Sequence, residues 1–367
     1  MNKVNLLSKL QGCLCGVAIG DAMGMPWEMM TTNEIFFATQ GQGVRTFSDA
    51  KQIKISETSN LKAGEITDDW QLTSALANAI ISAGSLDYIT IAKKHIIEFD
   101  HSTTGWGKST KKAISTIKDY FNSLLFSGKK PDPQELQRLI DEAIVDTPGT
   151  GNGVAMKIAP MALYHFGLDT SYLFDNVFGL GKMTHRDPRA SYAACAIAGI
   201  IKMVLESHQP ITIAKSIYLD SDLINELVKL EVVRSYCRPH QQFSGDSFVS
   251  RLINIFTTDI LNCPLDKTNV PADLIKQVGT SCLSLESIPF SIAIFLRNLT
   301  NFQTGILEAV NSGGDTDTNA SLVGAMIGTN VGLEGIPPEW ISQVLACQEA
   351  LVLANQLYDE LLQGRKI

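Results

Sequence analysis

The sequence has little of what marks an exported, membrane-spanning or nucleic-acid-binding protein. Its first ten residues are polar and mixed, and no apolar segment follows a basic start, so we expect no signal peptide. The longest apolar run, from Tyr192 to Leu205, is interrupted by Lys202 and is too short to span a bilayer. Thirty basic against 38 acidic residues give a net charge of −8, which argues against non-specific binding to nucleic acid.

Several catalytic and metal-site patterns are also missing. The seven cysteines lack the spacing of a disulfide framework, so we expect reduced thiols and a cytoplasmic location; export as an effector without a signal peptide stays compatible with this. The six histidines show no His-x-x-x-His pattern, which argues against zinc. Neither a Gly-x-Ser-x-Gly elbow nor a cysteine in a nucleophile's setting occurs, which leaves little support for covalent catalysis.

Helical periodicity, in contrast, runs along almost the whole chain, and the predicted helices include residues 153–166, 212–218, 221–235 and 338–363. The segment Val4–Ile19 has apolar residues at the spacing of a helix with one buried face, and Gly20 and Gly24 are predicted to turn the chain after it. Residues 29–63 show no sustained helical pattern, so we predict a long loop that acts as a lid. No strand pattern alternates with hairpin turns. We therefore predict a single all-α domain over residues 1–367.

An acidic cluster lies near the C-terminal end, in the run Asn311-Ser312-Gly313-Gly314-Asp315-Thr316-Asp317-Thr318-Asn319-Ala320. After two glycines, oxygen-bearing side chains follow at Asp315, Asp317 and Thr318, in front of a helix of small residues. Two nearby carboxylates repel each other, and a hard cation with oxygen ligands relieves that repulsion. The pattern indicates half of a metal site.

A second cluster of the same kind lies far away in the chain, at Gly64-Glu65-Ile66-Thr67-Asp68-Asp69, again in front of a helix of small residues. For either cluster alone, helix capping is the simpler explanation. Two matching copies with more carboxylates than caps require favour one shared, oxygen-rich metal site. Because the clusters lie at opposite ends of the chain, they must meet within one domain.

Three other loops carry chemical groups. Gly149-Thr150-Gly151-Asn152-Gly153 opens a predicted helix over residues 153–166, and its backbone N–H groups could cradle a phosphate; an ordinary turn is the alternative. His185 precedes a helix opened by Asp187, so it could face a ligand or bond to backbone as a capping-region histidine. Asp100 adjoins a flexible loop, where a solvated or capping role is the alternative.

Together these motifs resemble the ADP-ribosylglycohydrolase family, which includes the dinitrogenase reductase-activating glycohydrolases and the ADP-ribosyl-acceptor hydrolases. The resemblance covers most of the chain. It rests on five motifs in the family's order: Gly16-Val17-Ala18-Ile19-Gly20-Asp21-Ala22-Met23-Gly24 with Glu28, Gly64-Glu65-Ile66-Thr67-Asp68-Asp69, Gly151-Asn152-Gly153 with Ile158-Ala159-Pro160, Thr184-His185, and Gly313-Gly314-Asp315-Thr316-Asp317-Thr318-Asn319.

The resemblance implies an orthogonal bundle of many helices around two divalent cations, Mg²⁺ or Mn²⁺. The positions that match the family's metal ligands are Thr67, Asp68, Asp69, Asp315, Asp317 and Thr318. Glu28 matches a glutamate on a mobile flap, and it joins Asp68, Asp69 and Asp315 as a candidate catalytic residue. Asp100, the last catalytic candidate, lies about where some arginine-specific members carry an acidic base.

The resemblance also implies where the ligand lies. The positions that match the family's diphosphate and distal-ribose loop are Gly149, Thr150, Gly151 and Asn152, with Gly153 completing the run. His185 matches a histidine that contacts the ligand. Many members carry an aromatic residue at the position of Thr150, so one wall of the expected pocket departs from the family pattern.

The implied reaction is hydrolysis of the glycosidic bond at C1″ of ADP-ribose, which releases ADP-ribose from a modified protein side chain, with arginine as the expected linkage. The alternative from another class is a protein that binds ADP-ribose or neutralises a toxin by occluding an ADP-ribosyltransferase. The expected partners are therefore an ADP-ribosylated protein, ADP-ribose and a transferase. A monomer is the expected state.

Overall fold

The computed structural model describes residues 3–50, 60–147, 149–212, 223, 225–229, 248–257 and 272–365. The helices with defined bounds are α1 (Lys3–Gly24), α2 (Thr32–Ala38), α3 (Asp68–Ala83), α4 (Tyr88–His101), α5 (Lys108–Ser127), α6 (Pro133–Ala143), α7 (Ala159–Tyr164), α8 (Thr170–Lys182), α9 (Pro188–Glu206), α10 (Phe248–Thr257), α11 (Ala272–Val278), α12 (Ser284–Arg297), α13 (Phe302–Asn311), α14 (Thr316–Val331), α15 (Pro338–Gln343) and α16 (Ala346–Arg365). Strands are absent from the described residues, which contain two isolated bridges, so the predicted all-α class is confirmed.

Helices α1 and α14 form the antiparallel centre of the bundle. Their backbones touch at glycines: a Cβ on Gly16 would lie 2.1 Å from the Gly324 carbonyl oxygen, and one on Gly12 would lie 2.2 Å from that of Gly328. Both helices are apolar and small on nearly every side, as buried helices are. This close contact brings the C-terminal end of α1 beside the N-terminal end of α14, where the Thr316 hydroxyl donates to the Gly24 carbonyl oxygen at 2.8 Å.

The predicted end of the first helix is wrong. Helix α1 continues through Gly20 to Gly24, and both glycines serve close approach instead of a turn. A Cβ on Gly20 would lie 2.3 Å from the Ala320 carbonyl carbon, and one on Gly24 would lie 2.3 Å from the Thr316 carbonyl oxygen. The helix therefore carries Asp21 to the place where α14 begins.

Helix α3 is held against α1 by the Asp21 carboxylate. Thr67 donates to Asp21 through its backbone N–H at 2.9 Å and its hydroxyl at 2.7 Å. The Trp70 backbone N–H donates to Asp21 Oδ2 at 3.0 Å. A carboxylate from another helix thus satisfies the open N–H groups at the start of α3.

The segment predicted as a lid contains a helix and is attached to the core. Helix α2 (Thr32–Ala38) corrects the prediction of a continuous loop. Ile35 is the one buried residue of this helix, so no repeated apolar spacing was present from which the helix could be predicted. Val44 is fixed by Asn311, whose side-chain oxygen accepts from its N–H at 2.7 Å. Residues 51–59 of the predicted lid lie outside the described part of the chain.

Two other predicted helices differ from the structure, and two more lie wholly or largely outside its described part. Residues 153–157 form turns, and the helix predicted over 153–166 begins only at Ala159. The helix predicted over 338–363 is two helices, α15 and α16. The helix predicted over 212–218 lies almost entirely outside the described residues, and that over 221–235 lies within them only at 223 and 225–229. Helix α9 is long and apolar enough to cross a membrane, but 83% of its apolar 18-residue stretch is buried inside the protein.

Candidate active site

The two acidic clusters meet at the N-terminal ends of α3 and α14. The Thr318 hydroxyl donates to Asp69 Oδ2 at 3.2 Å, which joins residues 249 positions apart in the sequence. The N-cap residues Thr67 and Asp315 make no side-chain capping hydrogen bond. Helix capping, the simpler explanation of each cluster, therefore does not account for these side chains.

A tight turn carries Glu28 to the same place. Gly313 and Gly314 have φ angles of +73° and +82°, which favour glycine. The Met29 N–H donates to the Gly314 carbonyl at 2.7 Å, and the Gly314 N–H donates to the Met30 carbonyl at 2.8 Å. As a result, Glu28, Asp315 and Asp317 each place a carboxylate oxygen within 4.8 Å of the others.

The electrostatics of this cluster oppose ionisation of its carboxylates. Burial, followed by the neighbouring charge of Asp21, raises the pKa of Asp68 and of Asp69 well above the usual range. Burial and then the charge of Glu28 do the same to the pKa of Asp317. Burial also raises the pKa of Asp21 to about 6, although hydrogen bonds from Thr67 oppose the shift.

The donor set fits hard divalent cations. Asp69 Oδ1 is buried and has no hydrogen-bond partner among the described residues, so one lone-pair donor faces inward unsatisfied. The neighbouring candidate ligands are carboxylate and hydroxyl oxygens, which Mg²⁺ and Mn²⁺ prefer to sulfur. A cation at this place would relieve the repulsion that raises the carboxylate pKa values.

The cluster forms one wall of a cavity of about 370 Å³, a size typical of small-molecule sites. The glycine loop and the start of α5 also line this cavity. The residues that line the cavity are Glu28, Met29, Asp68, Gly105, Gly107, Lys108, Ser109, Thr110, Thr147, Gly149, Thr150, Gly151, Asn152, Gly153, Met156, His185, Cys282, Leu283, Asp315, Asp317 and Thr318.

The glycine loop is fixed by neighbours on both sides. The Asn152 N–H donates to the Cys282 carbonyl at 3.0 Å, and the Asn152 side-chain amide donates to Asp315 Oδ2 at 2.6 Å. A Cβ on Gly153 would lie 3.0 Å from the ring of His185, so the loop approaches this ring closely. Asn152 thus joins the expected phosphate loop directly to the expected metal ligands.

His185 lies in the cavity as an uncharged ring. Its Nδ1 is 2.8 Å from the Thr184 hydroxyl. Burial, followed by the charge of Lys157, lowers the pKa of His185 to about 3. The ring therefore offers a neutral donor or acceptor to a ligand instead of a positive charge.

Asp100 does not join this site. Its side chain is 48% exposed, forms an ion pair with Lys118 and is not among the residues that line the cavity. The geometry therefore gives no support to Asp100 as a catalytic base, in contrast to Glu28. Asp100 stands only five residues before Gly105, which lines the cavity, but it lies on the exposed side of helix α4.

Sequence reasoning missed three groups near the cavity. Asp21 stands inside a quoted motif, yet its role as the partner of α3 depends on contacts between distant segments. Lys157 follows the glycine loop and is fully buried. Residues 107–110 supply the sequence Gly-Lys-Ser-Thr at the start of α5, and this composition at a helix start could have indicated an anion-facing position.

Comparison with known proteins places these features in a common framework. A sequence profile described as ADP-ribosylglycohydrolase matches residues 2–366. The chain is 23% identical to ADP-ribosylhydrolase ARH3 of Homo sapiens over 96% of its own length and 93% of that protein. It is 24% identical to ADP-ribosylarginine hydrolase Tri1 of Pseudomonas putida (strain GB-1), covering 96% and 78% of the two chains.

Two further similarities agree with these. The chain is 23% identical to the ADP-ribosyl-dinitrogen reductase glycohydrolase of Rhodospirillum rubrum, with 91% of this chain and 89% of that protein covered. A solved structure titled "ADP-ribosylglycohydrolase-related protein complex" superposes with a TM-score of 0.61 and 19% identity, covering 97% of this chain and 99% of that one. This likeness concerns the fold alone.

Proposed function

The chain belongs to the ADP-ribosylglycohydrolase family, and from that premise we propose that it is a metal-dependent hydrolase that removes ADP-ribose from modified protein side chains. The observation that carries the proposal is the shared cavity. The acidic cluster and the glycine loop both line it, and the hydrogen bond from Asn152 to Asp315 joins them. A ligand with a ribose and a diphosphate needs both kinds of wall.

Two divalent cations, Mg²⁺ or Mn²⁺, complete the proposed site. The residues that would hold them are Thr67, Asp68, Asp69, Asp315, Asp317 and Thr318. When bound, such cations supply Lewis-acid chemistry: they hold ribose hydroxyls and offset the negative charge of the diphosphate. The raised pKa values of the buried carboxylates and the unsatisfied Asp69 Oδ1 support this assignment.

The protein's own groups would bind the substrate and handle its proton. Backbone N–H groups of the glycine loop other than that of Asn152, which donates to Cys282, would bind the diphosphate. The neutral His185 ring would bind a polar group beside it. Hydrolysis adds a water hydroxyl to C1″, while the side-chain nitrogen leaves with the bonding electrons and takes up a proton. Glu28 would accept the proton that the water loses. It lines the cavity and, unlike the other described carboxylates there, is outside the proposed ligand set.

We propose arginine as the modified side chain. The similarity to Tri1, an ADP-ribosylarginine hydrolase, supports this linkage, whereas the name of ARH3, an ADP-ribosylhydrolase, specifies none. The acidic side of the cavity also suits a cationic guanidinium group by charge. The substrate is then a protein with ADP-ribose on arginine. This substrate is the product of an ADP-ribosyltransferase that modifies arginine.

The test uses a protein labelled with ADP-ribose on arginine. We expect release of ADP-ribose by the wild-type protein with Mg²⁺, and none with EDTA or with Asp315→Ala. Asp100→Asn is the matched control, because it removes an exposed carboxylate outside the cavity, and it should retain activity. A parallel substrate labelled on serine reports the linkage.

Each outcome has a distinct meaning. Release from serine but not arginine would replace the linkage and keep the reaction. Release that EDTA does not stop would contradict the metal dependence. Retention of both labels by the wild-type protein, together with calorimetric binding of ADP-ribose, would replace hydrolysis by the ligand-binding or transferase-occluding alternative.

A further inference from the structure

Lys157 is a buried cation whose charge interacts with Asp68 of the carboxylate cluster. It is fully buried at the end of the turn that follows Asn152. The preceding carbonyl, of Met156, accepts a hydrogen bond from the Thr73 hydroxyl at 3.3 Å. Thr73 stands one turn after Asp69 on α3, so the backbone beside Lys157 packs against the helix that carries two of the proposed metal ligands.

The ammonium group of Lys157 has no hydrogen-bond partner among the described residues. Burial alone does not explain this, because the buried Lys9 donates to the Val204 carbonyl at 2.8 Å and to the Ser207 carbonyl at 2.9 Å. An ammonium group that is both buried and unpartnered is costly, so a compensating electrostatic interaction is needed.

That interaction is with the carboxylate cluster. Burial lowers the pKa of Lys157 to about 8, and the charge of Asp68 acts against this shift. The charge of the same ammonium group also acts on His95 and His185. The pKa of each ring is lowered to about 3, first by burial and then by the charge of Lys157. The charge of Lys157 therefore interacts with all three side chains.

His95 faces the same interior region with an unsatisfied acceptor. Its Nδ1 lies 2.9 Å from the Ile91 carbonyl, so this nitrogen donates and Nε2 is left with a lone pair. Nε2 is buried and has no partner in the described part of the chain. A neutral acceptor beside an ammonium group favours the charged form of that group. His95 thus suits Lys157 as an oriented dipole and adds no second positive charge.

Lys157 acts on Asp68 through its charge and not through a direct ion pair. Asp187 shows what a direct ion pair does to a carboxylate: Arg189 donates to both of its oxygens, with Nη2 to Oδ2 at 2.7 Å. Asp68 is close enough to Lys157 for their charges to interact, yet no hydrogen bond joins the two. Its oxygens stay available as ligands while its charge is partly balanced.

We propose that Lys157 is a positioning residue, a built-in cation that stabilises the metal-free carboxylate cluster and sets its affinity for divalent cations to a lower value. The proposal rests on the metal site of the proposed function, but neither on the linkage that is cut nor on hydrolysis. Without Lys157, the cluster repels itself more strongly when empty and attracts a divalent cation more strongly.

The test compares Lys157→Met, which keeps length and removes charge, with Lys157→Arg, which keeps charge. Calorimetric titration of the EDTA-stripped protein with Mg²⁺ or Mn²⁺ gives the affinity, and thermal unfolding in EDTA gives the metal-free stability. For Lys157→Met we expect tighter cation binding by about tenfold or more, from lost charge repulsion at an effective dielectric constant of about 20, and a lower Tm in EDTA. Lys157→Arg should stay near the wild-type protein in both.

A packing role predicts a different result. If Lys157 only fills space, Lys157→Met either leaves both quantities unchanged or weakens cation binding together with stability, and each of these outcomes overturns the proposal. If Lys157→Met does not fold without metal, Lys157→Gln provides the same comparison of affinities, and folding restored by Mg²⁺ supports the proposal.

The experiment separates this inference from the proposed hydrolysis. If the wild-type protein binds the cation but releases no ADP-ribose, the proposed function is wrong. The inference about Lys157 is still tested in that case, because Lys157→Met should bind the cation more tightly and have a lower Tm in EDTA. A wild-type protein that binds no divalent cation contradicts both.

Discussion

The contact between α1 and α14 provides the sharpest test of how the fold builds the site. At Gly16 the two backbones approach so closely that a single methyl group cannot be added: a Cβ there would lie 2.1 Å from the Gly324 carbonyl oxygen, whereas ordinary contact begins at 3.4 Å. Gly16→Ala therefore forces the helices apart by about 1.3 Å at this point. The obstacle is backbone, so no side chain can rotate away.

The size of the effect follows from two opposing contributions. Alanine in a helix interior is more favourable than glycine by about 1 kcal/mol. Overpacking with a backbone shift costs about 3 kcal/mol, because the surrounding contacts lose dispersion energy when a gap opens. Overpacking wins, and we expect Gly16→Ala to lower the free energy of unfolding by about 2 kcal/mol or more.

Denaturant unfolding measures this loss, and a Mg²⁺ titration measures its effect on the site. Because α1 carries Asp21 and α14 follows Asp315, separating the helices should also weaken cation binding. Gly107→Ala is the matched control, since a Cβ at Gly107 meets no atom within 4 Å, and it should change stability by less than about 0.5 kcal/mol. A Gly16→Ala protein as stable as this control would refute the reasoning.

Three other changes test separate parts of the structure. Asn152→Ala removes the donor to Asp315 Oδ2, and we expect cation affinity and ADP-ribose release to fall by about 10- to 100-fold, measured by calorimetry and the release assay. Burial lowers the pKa of His95 to about 3, whereas its usual value is 6.5. The neutral ring therefore contributes its full stability above about pH 6.5, and the free energy of unfolding falls by about 1.4 kcal/mol per pH unit below that pH. His95→Gln should flatten this acid limb in urea unfolding followed against pH; an unchanged slope would contradict it. Arg297→Ala leaves Glu308 as an unpaired buried charge, so unfolding free energy should drop by about 3–5 kcal/mol in urea.

Errors in the predicted fold arose where one residue type serves two physical purposes. Gly20 and Gly24 were expected to turn the chain, because a turn and a close helix contact both require glycine. Only the presence of α14 opposite them decides between the two. Helix α2 was missed because it buries only Ile35, which leaves no apolar period to detect.

The structure brings together the two acidic clusters that local patterns in the sequence indicated, whereas contacts between distant segments gave no such local pattern. Asp68 with Asp69, and Asp315 with Asp317, are short runs whose shared composition indicates a common site. Asp100 was included because it lies near a suitable loop, yet the side of a helix on which a residue stands depends on packing that the sequence does not display.

The sequence by itself therefore determined the all-α class, the family and the two carboxylate clusters, because periodicity and short motifs are local properties. Tertiary structure alone decided that Asp21 holds the start of α3 and that the buried Lys157 ammonium group has no hydrogen-bond partner among the described residues. It also decided that Asn152 joins the glycine loop to the acidic cluster. These are contacts between distant segments, and the cost or benefit of a buried charge depends on which of them surround it.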